Sequence, residues 1–405
     1  IDYDTVFYFN LVVSGILYIF LYLLSPAISS FFKEPVLIEV TRVISWILII
    51  NALGIIPRTI FIINVDFKVQ TKASLISSLV SGIVGISMAL FGLGVWSLVG
   101  QQLSRQLLNT FFLWFYCRWR PAWEFSIESF KEMFGFGSKL LVSGLIDTIY
   151  KNIYYIVIGR FYDPDQLGQY TRAEQFKLIF SSNLTAVVQR VSYPVLSSIQ
   201  SEPVRLREAY RRVIKLTMIV TFACMLGLAA IAKPLIILLI GEKWLPAVPF
   251  LQIICFSGML YPLHAINLNI LQVKGRSDLY LKLEIIKKII AVITIFIGIF
   301  WGIECMLWGG VFVSFISFFL NSYYSADLID YSTKNQISDI FPFLIISLIV
   351  SFCIWLISFT EWSYIIILII QIIVGIGLYW FISEKLPIQE YQEVRQLVFS
   401  LFKKK

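Results

Sequence analysis

Long apolar segments recur from one end of the chain to the other, and short polar connections separate them. Each segment is about 20 residues long, enough for a helix to cross a hydrocarbon core of roughly 30 Å with its backbone polar groups bonded internally. This pattern predicts an all-α polytopic membrane protein. Twelve transmembrane helices are expected, at residues 6–28, 37–63, 73–92, 95–116, 134–159, 167–197, 214–240, 247–272, 281–301, 304–325, 340–358 and 363–382.

Three consecutive helix boundaries recur farther along the chain at an offset of about 208 to 210 residues. The paired segments are SPAISSFFKE (25–34) with KPLIILLIGE (233–242), NVDFKVQTK (64–72) with QVKGRSDLYLK (272–282), and FGLGVWSLVG (91–100) with FWGIECMLWGG (300–310). This register pairs helices one to four with helices seven to ten and leaves helices five and six without partners. We therefore expect two further helices upstream of residue 1 and fourteen in the longer protein.

The repeat also predicts the domain organisation. Two six-helix lobes in parallel repeat are a transporter architecture, in which the substrate path lies near the middle of the membrane. The expected parts are a remnant of an N-terminal lobe with four helices (1–117), a cytoplasmic inter-lobe linker (118–132), a six-helix C-terminal lobe (133–326), a final helix pair (327–382) and a basic amphipathic cytoplasmic tail (383–405).

Composition and charge agree with a membrane location. Hydrophobic residues make up 58% of the chain and charged residues 14%, whereas about a quarter of the residues of a soluble domain are charged. Lys and Arg concentrate in the connections after even-numbered helices, which by the positive-inside rule places both ends of the chain in the cytoplasm. These connections and the tail account for the net charge of +8, so nucleic acid is not an expected partner.

Motifs for ATP binding or hydrolytic chemistry are absent from the sequence. There is no G-x-x-x-x-G-K-[ST] and no H-E-x-x-H, and the single histidine is poorly suited to a Ser-His-Asp set. The five cysteines show no metal-ligand spacing. We expect no cofactor, no bound metal and no enzymatic activity.

Ionisable residues within the spans are costly unless they are paired or face water, so they are the candidate functional residues. In the fifth helix, polar side chains fall within an arc of about 120°: Lys139, Ser143, Asp147, Tyr150, Lys151 and Tyr154. Asp147 and Lys151 can form an internal ion pair that merely holds the bundle together. Alternatively they line a hydrated cavity where Lys151 meets an anionic substrate, and the length of the polar face favours this interpretation.

The sixth helix carries Arg172, Asn183 and Arg190 on one face, with Glu174 and Lys177 beside it. Arg190 is close to the cytoplasmic end and can instead extend its side chain to the headgroups. In the preceding turn, the sequence Asp-Pro-Asp (163–165) is expected to end the fifth helix and to cap the sixth.

Three further helices contribute candidates. The second has Arg58 after a proline, and the fourth has a polar face that includes Arg105. The eighth has His264 after Pro262, and prolines within spans permit bending. His264 is either a packed, hydrogen-bonded residue or, with Asp147, a candidate for coupling transport to H⁺ or Na⁺.

A group of charges at the start of the ninth helix has a simpler explanation. We expect contact with anionic lipid headgroups there, from Lys282, Glu284, Lys287 and Lys288.

The candidates in the spans are mostly cationic. The bases are Arg58, Arg105, Lys139, Lys151, Arg172, Lys177 and Arg190, against the acids Asp147 and Glu174. Because Arg can donate two parallel hydrogen bonds to a phosphate or carboxylate, an anionic substrate is expected.

Two segments carry a family resemblance. IGRFYDPDQLGQYTRAEQF (158–176), followed by VSYPVLSSIQ (191–200), resembles the hinge and following helix of the polysaccharide flippases, the Wzx-type translocases of the multidrug/oligosaccharidyl-lipid/polysaccharide exporter superfamily. DYDTVFYFNLVVS (2–14) resembles the start of the third helix in the colanic-acid branch. The likeness covers essentially the whole chain and implies fourteen helices in two lobes.

The resemblance implies a function at the bacterial inner membrane. Members of the family move undecaprenyl-pyrophosphate-linked oligosaccharide repeat units from the cytoplasmic to the periplasmic leaflet by alternating access, for O-antigen, capsule or exopolysaccharide biosynthesis. An ion gradient of H⁺ or Na⁺ drives them, and contact with the polysaccharide polymerase machinery is implied. Arg172 stands where that branch commonly has Arg.

Two other functions remain as alternatives. An ion-coupled multidrug-type exporter would favour buried acids for cationic drugs, whereas this chain favours buried bases. A membrane enzyme that polymerises or ligates glycans usually needs a large external loop, and the longest outer connection here is about ten residues.

Overall fold

A computed structural model describes residues 2–64 and 66–385, except for the side chains at positions 132, 133, 135–140, 142, 143, 146, 147, 277 and 383. Within these residues the chain is almost entirely helical and contains no β-strand. The predicted tail at 386–405 lies outside the described part. The α-helices are α1 (Asp2–Phe32), α2 (Leu37–Ile44), α3 (Trp46–Ile63), α4 (Phe67–Leu90), α5 (Val95–Tyr116), α6 (Ile127–Lys151), α7 (Ile153–Phe161), α8 (Pro164–Ser198), α9 (Pro203–Ile240), α10 (Ala247–Gly258), α11 (Tyr261–Val273), α12 (Ser277–Trp301), α13 (Ile303–Tyr323), α14 (Ser325–Ile329), α15 (Thr333–Leu356) and α16 (Tyr364–Lys385).

The helices confirm the predicted all-α membrane fold. Each predicted span coincides with one helix or with two consecutive helices, and eight spans in the described residues are long and apolar enough to cross a membrane. The charge-rich α8 and α12 are not among those eight, because ionisable residues interrupt their apolar stretches. The predicted totals of twelve and fourteen transmembrane helices stay predictions.

Three predicted spans are interrupted rather than continuous. The breaks fall at Ser45, at Asn152 and at Met259–Leu260. The third break directly precedes Pro262, which lies in the first turn of α11, where its missing N–H costs nothing. Pro57, in contrast, lies inside the unbroken helix α3.

The predicted turn between the fifth and sixth spans is present. Helix α7 ends at Phe161, and α8 begins at Pro164 with Asp163 as the extended residue before it. Pro164 fits the first helical position because its fixed φ suits a helix and its absent N–H needs no acceptor. The expected cap is not formed, since the Asp163 side chain accepts no hydrogen bond from the first turn of α8.

The chain divides into two compact units, Ile1–Lys151 and Asn152–Lys405. The division falls at the break between α6 and α7. The predicted lobe and linker boundaries stay predictions.

The first unit contains α1 to α6. Helix α1 packs on α2 and α3, and α4 and α5 form a close antiparallel hairpin. Its turn contains Gly92 and Gly94, both with positive φ (77° and 53°), a conformation that glycine adopts without steric cost. Gly85 lets the two helices approach, because a Cβ atom there would lie 3.0 Å from the side chain of Gln101.

The second unit has the larger core. Helix α9 packs on α10, α15 and α16, α8 packs on α10 and α11, and α12 pairs with α13. Fully buried side chains from α9 and α10 fill the centre, including Tyr210, Phe222 and Leu251. The Tyr210 hydroxyl donates a hydrogen bond to the side-chain oxygen of Asn267 (2.6 Å), which satisfies both buried groups.

A group of charges ties α9 to α15 at the helix ends that sequence analysis places in the cytoplasm. We call it the Arg211–Asp339 cluster, formed by Arg211, Lys215, Tyr331 and Asp339. Arg211 donates two hydrogen bonds to the Asp339 carboxylate (2.5 and 2.6 Å), and Lys215 lies 3.6 Å from it. The Tyr331 hydroxyl donates a third (2.7 Å).

Electrostatics in the cluster favours this arrangement. Burial, and to a smaller extent the Asp339 carboxylate, raises the pKa of Tyr331 above its ordinary value, so the phenol remains protonated and acts as a donor. The bidentate geometry between guanidinium and carboxylate is the strongest form of such a pair. The cluster therefore holds the start of α15 against α9.

Replacing Asp339 by Asn should destabilise the second unit, because Arg211 and Lys215 lose their shared counterion. The Asp339 side chain is only 9% exposed, and we expect a loss of about 1–3 kcal/mol in the free energy of unfolding. Thermal unfolding of the purified protein in detergent measures this.

Asp330→Asn is the matched control for Asp339→Asn. It breaks the ion pair between Asp330 and Arg207 (2.6 Å), but the Asp330 side chain is 91% exposed. Such a surface pair contributes less than about 1 kcal/mol. Equal shifts of the unfolding midpoint in the two variants would contradict the role given to the cluster.

Candidate functional site

The predicted polar face of the fifth helix lies on two helices rather than on one. Asn152 leaves the α-helical conformation (φ −100°, ψ 7°), so Lys151 is the exposed last residue of α6 and Tyr154 belongs to α7. The predicted continuous helix is therefore interrupted at Asn152, whereas the polar face that ends at Tyr154 stays a prediction. The side chains of Lys139 and Asp147 lie outside the described residues, and their roles stay predictions.

The first unit contains a polar cavity of about 250 Å³ among apolar helices. Helices α3, α4 and α5 line it, and the sequence pattern had assigned its two arginines only to separate helices. The lining residues are Arg58, Ser74, Ser77, Gln102, Arg105, Gln106 and Asn109. We call this feature the polar cavity.

The two arginines give the polar cavity its charge. Arg58 is partly buried, Arg105 is exposed, and no acidic side chain among the described residues pairs with either guanidinium. Ser77 is fully buried, and its hydroxyl has no hydrogen-bond partner in the described part of the chain. Two unpaired guanidinium groups with neighbouring amides and hydroxyls suit a phosphate or carboxylate ligand.

Helix α8 separates its arginines instead of bringing them together. The Arg172 guanidinium lies 5.0 Å from the ring centre of Trp244 and donates a hydrogen bond to the side chain of Gln175 (2.9 Å). Arg190 is exposed and lies eighteen residues farther along the helix, or about 27 Å at 1.5 Å per residue. The two side chains cannot bind one small ligand together.

Glu174 and Lys177 form an ion pair inside the second unit. Their charged atoms are 2.7 Å apart, and the side chains are 13% and 17% exposed. The pair packs against α10, where a Cβ atom at Gly258 would lie 3.1 Å from Lys177. One oxygen of Glu174 is buried without a hydrogen-bond partner among the described residues. The charges largely cancel, so Lys177 adds little to the positive potential of the second unit.

His264 is hydrogen-bonded through one ring nitrogen only. Nε2 lies 3.0 Å from the Ser314 hydroxyl, which donates its single proton to the Ser257 carbonyl (3.2 Å). Ser314 must therefore accept from Nε2–H, which leaves Nδ1 as the unprotonated nitrogen. Nδ1 is buried and has no hydrogen-bond partner among the described residues.

Lys287 does not contact headgroups, so that part of the prediction for the ninth span is wrong. The residue is buried, with its side chain 11% exposed, and it pairs with Glu284 at 2.5 Å. The charge pattern alone does not reveal which side of α12 faces the protein. Lys282 is exposed, as headgroup contact requires.

The second unit also contains an apolar groove that sequence analysis did not predict. Its volume is about 690 Å³, and it lies between α9, α15 and α16. Along α9 it extends from Ile219 to Leu235, and Gly227 leaves its middle open, because a Cβ atom there would meet no atom within 4 Å. The sequence feature that could have indicated the groove is a glycine within each of two apolar helices, Gly227 in α9 and Gly375 in α16. We call this feature the apolar groove.

One polar side chain closes the wall of the apolar groove. Gln371 of α16 is fully buried and donates hydrogen bonds to the Ile354 carbonyl and the Ser358 hydroxyl, both at 2.8 Å. These bonds cross from α16 to the end of α15. No group of three or more potential metal ligands is found among the described residues.

Comparison with protein families identifies the chain. Residues 1–249 match the sequence profile of a family described as "Polysaccharide biosynthesis protein". The chain belongs to this family. Membership confirms the predicted resemblance to polysaccharide flippases, whereas the colanic-acid branch and the upstream helices stay predictions.

Three known proteins are similar in sequence over much of this chain. The teichuronic acid biosynthesis protein TuaB of Bacillus subtilis (strain 168) is 26% identical over 347 residues, 84% of this chain and 72% of TuaB. The lipopolysaccharide biosynthesis protein WzxC of Escherichia coli (strain K12) is 23% identical, over 74% of this chain and 61% of WzxC. The succinoglycan biosynthesis transport protein ExoT of Rhizobium meliloti (strain 1021) is 23% identical, over 64% of this chain and 52% of ExoT.

A solved structure has the same fold. The lipid II flippase MurJ, in its inward closed conformation, aligns with a TM-score of 0.75 over 94% of this chain and 82% of that chain, at 17% identity. The likeness confirms the predicted fold class, a bundle of membrane-spanning helices.

Replacing both arginines of the polar cavity should weaken anion binding. The purified variant Arg58→Gln/Arg105→Gln loses two charged donors, each contributing about 1.5–3 kcal/mol when bonded to an anion. We expect at least a tenfold rise in the Kd for inorganic diphosphate, with tenfold corresponding to about 1.4 kcal/mol. Isothermal titration calorimetry at low salt measures it.

Arg118→Gln provides the control, because Arg118 is an exposed cation of the first unit outside the polar cavity. The same loss of affinity in Arg118→Gln would indicate non-specific attraction to the basic surface. It would contradict a site in the polar cavity.

Proposed function

We propose that this protein moves lipid-linked oligosaccharides across a bacterial membrane by alternating access, for the biosynthesis of a surface polysaccharide. The observation that carries the proposal is the apolar groove, which suits the long hydrocarbon tail of a lipid carrier. The names of the relatives support the polysaccharide: they concern teichuronic acid, lipopolysaccharide and succinoglycan biosynthesis. MurJ, whose fold the chain shares, is named a lipid II flippase.

The apolar groove is matched to a chain-like ligand by its shape. Ile219 and Leu235 are sixteen positions apart, which corresponds to a rise of about 24 Å along α9. A lipid tail gains no hydrophobic free energy by moving from the bilayer into the groove, because both surroundings are apolar. Van der Waals packing decides instead, so the open surface at Gly227 selects a tail that fits.

A separate proposed contact is the polar cavity of the first unit, which suits the anionic head of such a substrate. Arg58 and Arg105 would bind the pyrophosphate or an acidic sugar, since Arg forms paired hydrogen bonds with these groups. Gln102, Gln106 and Asn109 provide amide groups for sugar hydroxyls. Arg172, Arg190, Lys151 and Lys139 remain proposed substrate contacts, and Glu174 and Lys177 are proposed to act as a paired unit.

Coupling to an ion gradient is proposed through His264. Its Nε2 is bonded to Ser314, whereas Nδ1 has no partner among the described residues and is therefore the nitrogen that would take a proton. This arrangement favours H⁺ over Na⁺ at His264, and Asp147 remains the second coupling candidate. The sequence has no ATP-binding motif, in keeping with a transporter driven by a gradient and without enzymatic activity.

The proposed location is the bacterial inner membrane, with both ends of this chain in the cytoplasm. The distribution of Lys and Arg supports that orientation. In this position the protein would deliver substrate to a polysaccharide polymerase on the outer side. Nucleic acid has no part in the proposal.

Filling the apolar groove should slow transport without harming the fold. Gly227→Leu adds a side chain where no atom lies within 4 Å, and Leu also favours a helix interior over Gly. We expect at least tenfold slower movement of a fluorescent undecaprenyl-pyrophosphate oligosaccharide in proteoliposomes, equivalent to about 1.4 kcal/mol of lost tail packing. The unfolding midpoint should be unchanged or higher.

Gly15→Leu is the matched control for the groove. Gly15 lies in α1, it also has no atom within 4 Å of an added Cβ, and it does not line the apolar groove. Slowing of the same size in both variants, or none in Gly227→Leu, would sink the proposed role of the groove.

A further inference from the structure

The first turn of α1 is hydrogen-bonded to a segment of the first unit that is distant in sequence. Its partner is the connection between α5 and α6, residues 117–126, which has no regular secondary structure. An Asp4 carboxylate oxygen accepts a hydrogen bond from the Ala122 backbone N–H (2.8 Å). The Thr5 hydroxyl oxygen accepts one from the Ser126 backbone N–H (3.0 Å).

Both acceptors are inside the protein. Asp4 is 5% exposed and Thr5 is fully buried. Ala122 is exposed and Ser126 is half-buried, and a connection without secondary structure finds acceptors for its backbone N–H groups on side chains or in water. The two bonds therefore satisfy amides that the connection cannot satisfy by itself.

Aromatic rings extend the contact along α1. Phe7 meets Trp119 edge to face with ring centres 5.6 Å apart, and Tyr8 stacks on Trp123 at 5.5 Å. Phe9 meets Phe130 of α6 at 5.0 Å. Such pairs add about 0.5–1.5 kcal/mol each beyond the burial of area. Consecutive residues of α1 thus hold the connection and the beginning of α6.

The hydrogen bond that Thr5 accepts from Ser126 affects the start of α6. Ser126 directly precedes α6, and its hydroxyl oxygen accepts a hydrogen bond from the Ser129 N–H (3.2 Å), as a helix cap does. Thr5 therefore holds Ser126, the residue that caps the start of α6.

A simpler explanation of Asp4 is that it stabilises the positive end of the α1 dipole. Asp2 and Asp4 both lie in the first turn, where an acid is favourable. That role needs neither burial nor a bond to a residue more than a hundred positions away. Asp2 is exposed, so it serves the dipole as well as Asp4 does and provides an internal control.

We propose that Asp4 and Thr5 are positioning residues, which fasten the connection 117–126 to α1 and thereby fix where α6 begins. The consequence for transport rests on the proposed function, because α6 ends at Lys151, a proposed substrate contact. The segment DYDTVFYFN then has a physical role, namely docking of this connection.

Amide hydrogen exchange of the purified protein tests the docking directly. Asp4→Ala should speed exchange in peptides covering Ala122, and Thr5→Val in peptides covering Ser126, each by about tenfold or more. Asp4→Asn and Thr5→Ser keep an acceptor oxygen and should restore protection. Unchanged exchange in Asp4→Ala, or equal acceleration in Asp2→Ala, would overturn the docking.

Transport in proteoliposomes tests the positioning role. Asp4→Ala and Thr5→Val should move the lipid-linked oligosaccharide at least about fivefold more slowly, with recovery in Asp4→Asn and Thr5→Ser. Faster amide exchange together with unchanged transport would overturn the positioning role. If the unaltered protein moves no substrate, the proposed function fails, whereas the exchange measurement still decides the docking.

Discussion

In the hydrocarbon core of a bilayer, a charged or polar group is stable only when it has a partner inside the protein or reaches water. Several ionisable residues of the second unit, within the spans and at the cytoplasmic helix ends, are stabilised by pairing. Glu174 forms an ion pair with Lys177, Glu284 forms one with Lys287, and Arg211 forms one with Asp339. These pairs connect or stiffen helices and leave little net charge.

The same constraint makes the unpaired groups informative. Arg58 and Arg105 line the polar cavity without a counterion among the described residues, and Nδ1 of His264 lacks a hydrogen-bond partner there. Leaving the guanidinium groups without a partner costs free energy, which a bound anion would offset. The apolar groove is the complementary case, since a glycine at 227 leaves surface uncovered that a larger side chain would fill.

Sequence analysis predicted the helices well because the length of an apolar segment is a strong signal. It did not predict the break at Asn152, where nothing in the apolar pattern marks the end of a helix. Arg58 and Arg105 were named as candidates, but the cavity that joins them depends on how α3, α4 and α5 pack. Lys287 was misassigned because charge alone does not show which side of a helix faces the protein. The apolar groove is formed by α9, α15 and α16, which are far apart in sequence, so only the packed structure reveals it.

Photocrosslinking can show directly whether the tail of a lipid carrier lies in the apolar groove, as we propose. A polyprenyl-pyrophosphate oligosaccharide with a diazirine in its tail is incorporated into proteoliposomes with the protein, irradiated, and the adducts are located by mass spectrometry. We expect adducts concentrated on the α9 and α16 walls of the groove, between Ile219 and Leu235 and between Gln371 and Trp380. These adducts should decline when unlabelled carrier competes. Adducts spread equally over the exposed apolar side chains of α4, such as Leu79 and Ile83, and insensitive to competition would contradict the proposal.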